Sequence, residues 1–404
     1  MSEQLTTETV ADFLSGLEGL DGVIDRMSIA SVEEVGDGNL NLVFIVKDTA
    51  GRGVVVKQAL PYVRLVGPDW PMSEQRADRE AAALRIHGAL DPERTCALLH
   101  YDPARYAMVI EDLTDHRVWR RALNEGIRNE GAAHDMGLYV ANVAFGTSVL
   151  GMHHQEQKQQ LAASINPELC EITEDLVFTE PYVDAGRNSV IAANEPDARA
   201  LAEDDRMVDE MGLMKLRFMT VAQALVHGDL HTGSVMVRRE EEGGHSVKAF
   251  DPEFSFYGPI GFDLGALWAN YAIAAARAFA LGEDDRAAWA LDLLDETWRA
   301  FDGRMRELWP ERRDPRVFRD GMLDRMLDEL RMDAAGFAAA KMARRIVGLA
   351  KNSDIETLPE ELREGAARGV LLAARRIAVE RHTDHTPTHL ARIMGEIMAD
   401  SRTG

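Results

Sequence analysis

The chain has 404 residues, of which 46% are apolar, and this length exceeds what one hydrophobic core usually covers, so we expect two lobes. It carries 68 acidic against 45 basic residues, and this net charge of −23 argues against nucleic acid or an anionic membrane as a partner. No apolar run approaches the roughly 18 residues that span a bilayer, and residues 1–7 are too polar for a signal peptide. Cys96 and Cys170 cannot form a disulfide framework, so we expect reduced thiols and a cytoplasmic protein.

The first quarter of the chain has the pattern of an antiparallel sheet. After a short amphipathic helix predicted within residues 1–25, apolar and polar residues alternate over 29–35, and mainly apolar segments separated by glycine-containing turns follow. Two further segments of this kind follow, so the sequence predicts five strands. The predicted strands are 29–35, 40–46, 54–57, 97–100 and 106–110.

Two features of these strands indicate contacts with phosphate groups. The turn Gly36-Asp-Gly38-Asn39, with Asn41 behind it, is rich in glycine, which lets main-chain N–H groups approach an anion. An ordinary hairpin has the same composition, so this turn alone decides nothing. Lys57 ends the third strand, at the spacing where kinase-like folds place the lysine that binds ATP phosphates.

A loop, a helix and a crossover complete this region. We expect an irregular loop over residues 61–71 and a helix over residues 73–90. Glu80 on this helix is the candidate ion-pair partner of the strand lysine, and the spacing also allows Glu74. The segment Glu111-Asp112-Leu113 closes the sheet and begins the crossover into a helical half. In an ATP site of this type the crossover offers main-chain groups to the adenine edge, although a simple turn explains the segment equally well.

The most informative stretch of the sequence is 225–237. An apolar run enters a short polar loop in which Asp229 lies between two histidines, and a second apolar run leaves it. A glycine turn at residues 243–244 and another strand-like segment then lead to Asp251 and Glu253. The pattern therefore predicts a hairpin that brings two carboxylates back beside Asp229.

Three converging carboxylates repel each other unless a metal ion or a proton is shared among them. In phosphoryl transfer, one aspartate orients the attacking hydroxyl, and carboxylates after a following strand hold Mg²⁺ against the ATP phosphates. Taken singly, each motif is an ordinary turn or strand end. Their order along the chain predicts Asp229 as the catalytic residue and Asp251-Pro252-Glu253 as the metal-binding segment.

From residue 114 onward apolar residues recur at helical spacing, so we expect a mainly helical region. Arg344 and Arg345 lie side by side within one of its otherwise apolar segments. A solvated helix face explains such a pair, but the guanidinium fork also suits phosphate and hydroxyl-rich ligands. The predicted helical segments are 131–153, 200–225, 261–281, 284–303, 318–351 and 359–381.

These motifs resemble the protein-kinase-like small-molecule kinases, which include choline kinases and aminoglycoside phosphotransferases, and most closely the 5-methylthioribose kinases. The resemblance implies a bilobal α+β fold, with a small five-stranded antiparallel N-lobe over residues 1–112 and a larger, mainly helical C-lobe over residues 113–404. The matching blocks are 36–41, 56–59, 166–170, 177–179, 227–234, 251–254, 256–259 and 344–350.

The resemblance implies a reaction in which ATP phosphorylates 5-methylthioribose at its anomeric hydroxyl, giving 5-methylthioribose 1-phosphate and ADP in methionine salvage. ATP and Mg²⁺ are the implied cofactors, and the family's habit suggests a homodimer. Asp229 would meet the sugar hydroxyl as base or orienter, and Trp70, Arg344 and Arg345 would line the sugar site, with Arg344 as the first choice for the contact. Asp251 and Glu253 would hold Mg²⁺. The residues implied at the nucleotide are Gly36, Gly38, Asn39, Asn41, Lys57, Glu80, Glu111, Asp112, Leu113, Asp251, Pro252 and Glu253.

Two departures from the protein-kinase pattern tell against a protein kinase. Ser234 stands where protein kinases place a metal-binding Asn, and Asp-Pro-Glu replaces Asp-Phe-Gly, so that Glu253 supplies the oxygen that Ser234 does not. The nearest alternative is another sugar, aminoglycoside or amino-alcohol kinase of this fold. A catalytically inactive ATP-binding module is disfavoured because Lys57, Asp229 and both metal-binding carboxylates are present.

Overall fold

The computed structural model describes residues 3–36, 40–64, 67–183, 185–240 and 243–403. Its strands are β1 (Ile29–Glu34), β2 (Asn41–Asp48), β3 (Gly53–Ala59), β4 (Tyr62–Val63), β5 (Gly67–Pro71), β6 (Leu98–Asp102), β7 (Ala107–Glu111), β8 (Arg117–Val118), β9 (Ala224–Val226), β10 (Val235–Arg239), β11 (His245–Ala249) and β12 (Phe256–Gly258). Its α-helices are α1 (Val10–Ser15), α2 (Arg76–Leu90), α3 (Trp119–Asn124), α4 (Ala132–Thr147), α5 (His154–Ala163), α6 (Pro167–Leu176), α7 (Glu195–Ala202), α8 (Asp205–Thr220), α9 (Gly261–Ala280), α10 (Asp284–Leu308), α11 (Asp320–Val347), α12 (Ser353–Glu356), α13 (Glu360–Glu380) and α14 (Pro387–Asp400).

The N-terminal region contains a five-stranded antiparallel sheet in the order β1-β2-β3-β7-β6, which confirms the five predicted strands. Strand β3 is central, and its Lys57 lies opposite Val43 of β2 and Met108 of β7. Residues from the N-terminal segment and α1, including Phe13 and Leu14, pack on one face of the sheet. Helix α2 packs on the other face. Strand β3 is therefore covered on both faces, which holds Lys57 in a rigid strand.

The predicted irregular loop over residues 61–71 is wrong in part, because it contains the short antiparallel hairpin β4–β5. Strands this short show no alternation of apolar and polar residues, so the sequence carries little signal for them. The helix predicted over residues 73–90 begins instead at Arg76. A turn precedes it, in which the Gln75 N–H donates to Ser73 Oγ at 3.2 Å.

The C-terminal region is a helical assembly around α9. This helix is almost wholly buried, as expected for a helix that is apolar on all sides. Helix α11 crosses it closely, since a Cβ on Gly265 would lie 2.7 Å from the Ala334 carbonyl oxygen. The six predicted helical segments correspond to α4, α8, α9, α10, α11 and α13. Helix α14 lies beyond the last of them, and its sequence signal was the apolar spacing of buried residues Leu390, Ile393, Met394 and Met398.

Two small sheets connect the helical region to the N-terminal sheet. Strands β10 and β11 form the predicted antiparallel hairpin, and β8 pairs with the outer side of β10. Strand β9 pairs with β12. The end of β11 contacts the N-terminal region directly, because the Cys96 N–H donates to the Ala249 carbonyl at 2.9 Å and the Ala249 N–H donates to the Arg94 carbonyl at 2.8 Å. Within the described residues, no helix is long and apolar enough to cross a membrane.

Candidate active site

The loop between β9 and β10 is held by the first turn of α9. The main-chain N–H groups of His227 and Gly228 donate to the two oxygens of the Asp263 carboxylate, at 2.7 and 3.0 Å. Gly228 has a φ of 83°, and a Cβ at this position would overlap the carbonyl oxygen of Phe254. Only glycine therefore fits here without strain, and the backbone before Asp229 is fixed.

Asp229 is an ionised carboxylate that contacts one cation, Lys341, and one imidazole ring, His231. Its Oδ1 accepts a hydrogen bond from Lys341 Nζ at 2.8 Å, and its Oδ2 lies 3.4 Å from His231 Nε2. Burial raises the pKa of Asp229, but Lys341, His231 and the arginines at positions 344 and 345 hold it well below the ordinary value of 3.8. Such a carboxylate is a weak base and a strong hydrogen-bond acceptor.

His231 organises the rest of this loop. Its Nδ1 accepts from the Gly233 N–H at 3.0 Å and lies 3.2 Å from Ser234 Oγ. Burial lowers the pKa of His231 well below its ordinary value, so the ring is neutral and the remaining proton is assigned to Nε2, towards Asp229. The Ser234 hydroxyl is thus engaged with the histidine ring.

Three carboxylates meet on the other side of the site. One oxygen each from Glu80, Asp251 and Glu253 lies within 4.8 Å of the others. Lys57 Nζ donates to Glu80 Oε1 at 2.7 Å and to Asp251 Oδ1, so the expected pairing of Lys57 with Glu80 is present. Burial lowers the pKa of Lys57, but these three carboxylates outweigh burial and raise it.

Together, the carboxylates of Glu80, Asp251 and Glu253 carry more negative charge than Lys57 balances. Burial raises the pKa of Glu80 to about 8, and burial together with the charge of Asp251 raises the pKa of Glu253. Buried acids with raised pKa values are stabilised by an additional cation, and carboxylate oxygens are the ligands that hard divalent ions prefer. The residues present therefore fit a divalent metal ion.

Glu253 is held by contacts that the sequence did not predict. Its Oε2 accepts from Asn41 Nδ2 at 2.7 Å, and the Asn41 Oδ1 accepts from Arg76 Nη2 at 3.0 Å. The main-chain carbonyl of Glu253 accepts from Asn166 Nδ2 at 2.8 Å. Asn41, predicted at the nucleotide, lies in the described structure between Glu253 and the buried Arg76.

The side chains at the crossover are engaged with protein atoms. Glu111 Oε2 accepts from the Ala97 N–H at 3.0 Å, and the Asp112 carboxylate accepts from Lys47 Nζ and from the Thr114 N–H. The predicted contact of residues 111–113 with adenine through main-chain groups stays a prediction.

The glycine-rich turn is described only in part. Gly36 is exposed, whereas Gly38 and Asn39 lie outside the described residues. Pro252 is buried between the two predicted metal-binding carboxylates. Asp251 has a φ of 66°, a conformation that few residues other than glycine adopt, and this sets the direction in which its carboxylate points.

Two arginines lie on the last turn of α11, one turn beyond Lys341. Arg344 Nη1 donates to the Ala350 carbonyl at 3.3 Å. No hydrogen bond or ion pair engages Arg345 within the described part of the chain. Residues three and four apart share one helix face, so both arginines follow Lys341 towards Asp229.

Trp70 lies in β5, where its ring packs against the Arg187 guanidinium at 5.2 Å from the ring centroid. It belongs to an apolar cluster with Leu169 of α6 and Phe254, the residue after the metal-binding segment. The tryptophan thus joins the N-terminal hairpin to the helical region. Its predicted contact with a sugar stays a prediction.

Sequence reasoning missed Arg76, Asn166, Asp263 and Lys341. A usable signal existed for two of them, because Asp263 and Lys341 each interrupt an apolar stretch of a predicted helix. A buried charge needs a partner, so such residues are candidates for a site. Arg76 and Asn166 carry no comparable signal.

Comparison with known proteins gives the family. Residues 31–303 match the model of a phosphotransferase enzyme family. The methylthioribose kinase of Pectobacterium carotovorum subsp. carotovorum (strain PC1) is 39% identical over 399 residues, which cover 96% of this chain and 98% of that protein. The chain belongs to the methylthioribose kinase family. This membership confirms the resemblance found in the sequence.

Other members of the methylthioribose kinase family match over the same length. The protein of Yersinia pseudotuberculosis serotype IB (strain PB1/+) is 38% identical over 96% of both chains, and that of Enterobacter sp. (strain 638) is 37% identical over 96% of this chain and 98% of its own. The fold is the bilobal α+β fold of the protein-kinase-like phosphotransferases, and the chain is a kinase.

Proposed function

We propose that the protein transfers the γ-phosphoryl group of ATP to the anomeric hydroxyl of 5-methylthioribose, giving 5-methylthioribose 1-phosphate and ADP in methionine salvage. The observation that carries this proposal is the near full-length similarity to methylthioribose kinases, joined to an ionised Asp229. The loop that carries Asp229 lies between two groups of side chains. One is the cluster of carboxylates that could hold a metal ion, and the other is the basic C-terminal turn of α11.

In the proposed mechanism, Asp229 orients the sugar hydroxyl and receives its proton late in the transfer. A carboxylate whose pKa lies well below its ordinary value is a poor base in the ground state. Phosphoryl transfer proceeds through a loose transition state, so orientation matters more than early proton removal. Lys341 keeps Asp229 ionised and fixed in direction through their 2.8 Å hydrogen bond.

The nucleotide and its metal ion are assigned to the other side of the site. Asp251 and Glu253 would hold Mg²⁺, which neutralises phosphate charge when bound. Lys57, anchored by Glu80, would bind the phosphates, and the turn at residues 36–39 would cover them.

The sugar is assigned to the end of α11 and to the Trp70 hairpin. Neighbouring helical residues point about 100° apart, so the two arginines make different contacts. Arg344 donates one of its N–H groups to the Ala350 carbonyl, whereas all the N–H groups of Arg345 remain available. We therefore propose that Arg345 makes the sugar contact. A cytoplasmic homodimer completes the proposal, and light scattering would measure its mass.

The decisive experiment is a substrate panel. ADP formation is measured with 5-methylthioribose, ribose, choline and kanamycin, and the position of the phosphate is read by NMR. We expect turnover with 5-methylthioribose and a phosphate on its anomeric oxygen. Preference for choline or kanamycin would replace the proposed acceptor with that of another small-molecule kinase.

Asp229→Asn tests the role of the carboxylate. We expect kcat to fall by roughly 10²–10⁴, the usual scale for a general base or orienting group, with ATP affinity nearly unchanged. Asp209→Asn, an exposed change on α8, is the matched control. Near-normal turnover of Asp229→Asn would remove the residue from the mechanism.

A further inference from the structure

A cavity outside the active site lies where β8 and β10 face the loop between α3 and α4. Its volume is about 430 Å³, within the range of roughly 300–1,000 Å³ that is typical of sites for small organic ligands. Arg117 of β8 lies opposite Val237 of β10, and both side chains line this cavity. None of the residues that line it is among those assigned to the active site.

Strand β10 separates this cavity from the N-terminal sheet. Successive residues of a strand point to opposite faces. Met236 packs against the apolar cluster between the N-terminal sheet and α2, whereas Val237 packs in the core of the helical region. The cavity lies on the side of Val237, so a ligand bound in it does not reach Lys57 on the central strand of the N-terminal sheet.

The cavity contains a buried amide group whose hydrogen bonds are not made. Asn129, in the loop between α3 and α4, lines the cavity and is only 7% exposed. Its Oδ1 is buried without a hydrogen-bond partner, and its Nδ2 donates to none of the described residues. Buried side-chain amides are nearly always satisfied, so this one indicates a ligand. Because the amide carries an acceptor beside a donor, the matching ligand edge carries a donor beside an acceptor.

The cavity also offers positive charge. The exposed guanidinium of Arg239 has no hydrogen-bond or ion-pair partner in the described part of the chain. Arg117 and Arg238 are paired only with exposed carboxylates. Exposed ion pairs contribute little to stability, so these two arginines can exchange a carboxylate for the anion of a ligand. The guanidinium fork matches the oxygens of a phosphate group.

The remaining lining suits the flat, weakly polar body of a nucleobase. Ala122, Ile127 and Val237 contribute apolar side chains to the cavity. An asparagine amide pairs with adenine in particular, through the N6 donor and the N7 acceptor of the base. A ligand with an ammonium group as its donor is disfavoured, because the arginines repel a second cation. Phosphate, apolar ring and adenine edge occur together in an adenine nucleotide.

We propose that this cavity is a second nucleotide site, which binds adenosine monophosphate with the base edge at Asn129 and the phosphate at Arg239. The inference goes beyond the proposed function, because it concerns a ligand other than the two substrates and does not depend on the identity of the acceptor sugar.

Calorimetry with adenosine monophosphate and the full-length protein measures this binding. The active site is first saturated with Mg²⁺ and a non-hydrolysable ATP analogue, so that it cannot take the added nucleotide. We expect adenosine monophosphate still to bind, with one molecule per chain. Binding that occurs only without the analogue would assign the nucleotide to the active site and overturn the proposal, as would the absence of binding under both conditions.

Arg239→Gln tests the phosphate contact under the same conditions. Loss of a charge-assisted hydrogen-bonding group should weaken the binding of adenosine monophosphate by about tenfold to about a hundredfold. Kinase activity should stay within about twofold of wild type, since Arg239 is exposed and lies outside the active site. Arg121→Gln is the matched control, because Arg121 is an exposed arginine nearby that pairs only with Glu125. Equal affinity in Arg239→Gln and wild type would contradict the assignment.

Inosine monophosphate tests the base contact. It has an oxygen acceptor where adenine has the N6 donor, so it cannot match the Asn129 amide at both positions. We expect the wild type to bind it about tenfold more weakly than adenosine monophosphate, the scale for one mismatched base edge. Asn129→Leu keeps the size of the side chain and should bind the two nucleotides equally. Equal binding of both nucleotides by the wild type would show that Asn129 does not read the base, and the adenine site would be rejected.

Discussion

At the scale of single residues, the site depends on buried charged side chains that pair with each other. Lys341 is 5% exposed and its Nζ touches both Asp229 and the face of the Phe262 ring, at 4.5 Å from the ring centroid. Burial lowers the pKa of this lysine, and the charge of Asp229 opposes that effect. Each member of the pair thus keeps the other charged in a buried place.

Gly228→Ala should destabilise the protein and reduce activity. A left-handed conformation costs a residue with a Cβ about 1–2 kcal/mol, and the clash with the Phe254 carbonyl adds to this cost. We expect the free energy of unfolding to fall by at least about 2 kcal/mol in urea titrations. Gly212→Ala is the control, since it lies in the exposed interior of α8 with open space around it and should raise stability by about 0.5–1 kcal/mol. Equal stabilities of the two variants would contradict the assigned strain.

His87 should make stability depend on pH. It is fully buried between Tyr139 Oη and the Leu225 carbonyl, at 2.8 and 3.0 Å, and burial lowers its pKa from 6.5 to about 3. Below pH 6.5 the unfolded chain binds a proton that the folded protein excludes. The contribution of His87 to the free energy of unfolding therefore falls as the pH decreases below 6.5. The fall is about 1.4 kcal/mol per pH unit and ends at about pH 3.

Urea titrations of the wild type and His87→Gln at two pH values measure this effect. Between about pH 7 and about pH 5.5 the wild type should lose roughly 1 kcal/mol more than the variant, because only His87 differs between them. Carboxylates titrate in both proteins and cancel in the comparison. The same loss in both proteins would mean that His87 accepts a proton in the folded state.

At the scale of elements, the β10–β11 hairpin connects the two halves of the site. The loop before β10 carries Asp229, and the segment after β11 carries Asp251 and Glu253. The register of the hairpin, with Val235 opposite Ala249, brings these two ends together. Helix α9 then fixes the loop through the Asp263 carboxylate, so one hairpin and one helix terminus determine the distance between the catalytic and metal-binding carboxylates.

The Mg²⁺ concentration that the enzyme needs should depend on Asp251 and Glu253 and much less on Ser234. Asp251→Ala and Glu253→Ala should each raise the Mg²⁺ concentration for half-maximal activity by at least about tenfold, the scale for losing one group from a metal site. Ser234→Ala should change it much less, because the Ser234 hydroxyl is engaged with His231. Activity is measured against Mg²⁺ at saturating substrates. Should Ser234→Ala need as much Mg²⁺ as Glu253→Ala, the serine is a ligand after all.

At the scale of the whole molecule, charge is distributed unevenly. The net charge is −23, yet cations gather at the end of α11 and Lys57 lies between carboxylates. Like charges on the surface repel each other and disfavour the compact state, whereas exposed ion pairs contribute little. We therefore expect self-repulsion to dominate the response of stability to salt.

The melting temperature should rise when salt is added. From about 0.01 M to about 0.15 M ionic strength the Debye length falls from about 30 Å to about 8 Å, which screens repulsion between distant surface carboxylates. Differential scanning fluorimetry in sodium chloride measures the shift, and sucrose serves as an uncharged control. A melting temperature that falls with added salt would show that ion pairs outweigh the net charge.

The sequence by itself determined the elements whose signals are local. One alternating segment and four short, mainly apolar segments predicted the antiparallel sheet, and helical spacing predicted six helices. The motifs around Asp229 and Asp251 predicted phosphoryl transfer. The family followed from the same motifs, and the comparisons confirm it. These features depend on residues close together in the chain, where periodicity and turn chemistry act directly.

Only the tertiary structure decided which distant residues meet. Lys341 is 112 residues from Asp229 along the chain, Asn41 is 212 residues from Glu253, and Arg120 is 150 residues from Asn270. No local pattern encodes such pairs, because they arise when packed helices and sheets place side chains of different elements in one buried space. A buried charge or amide must then find its partner there, and the fold as a whole decides which one it finds.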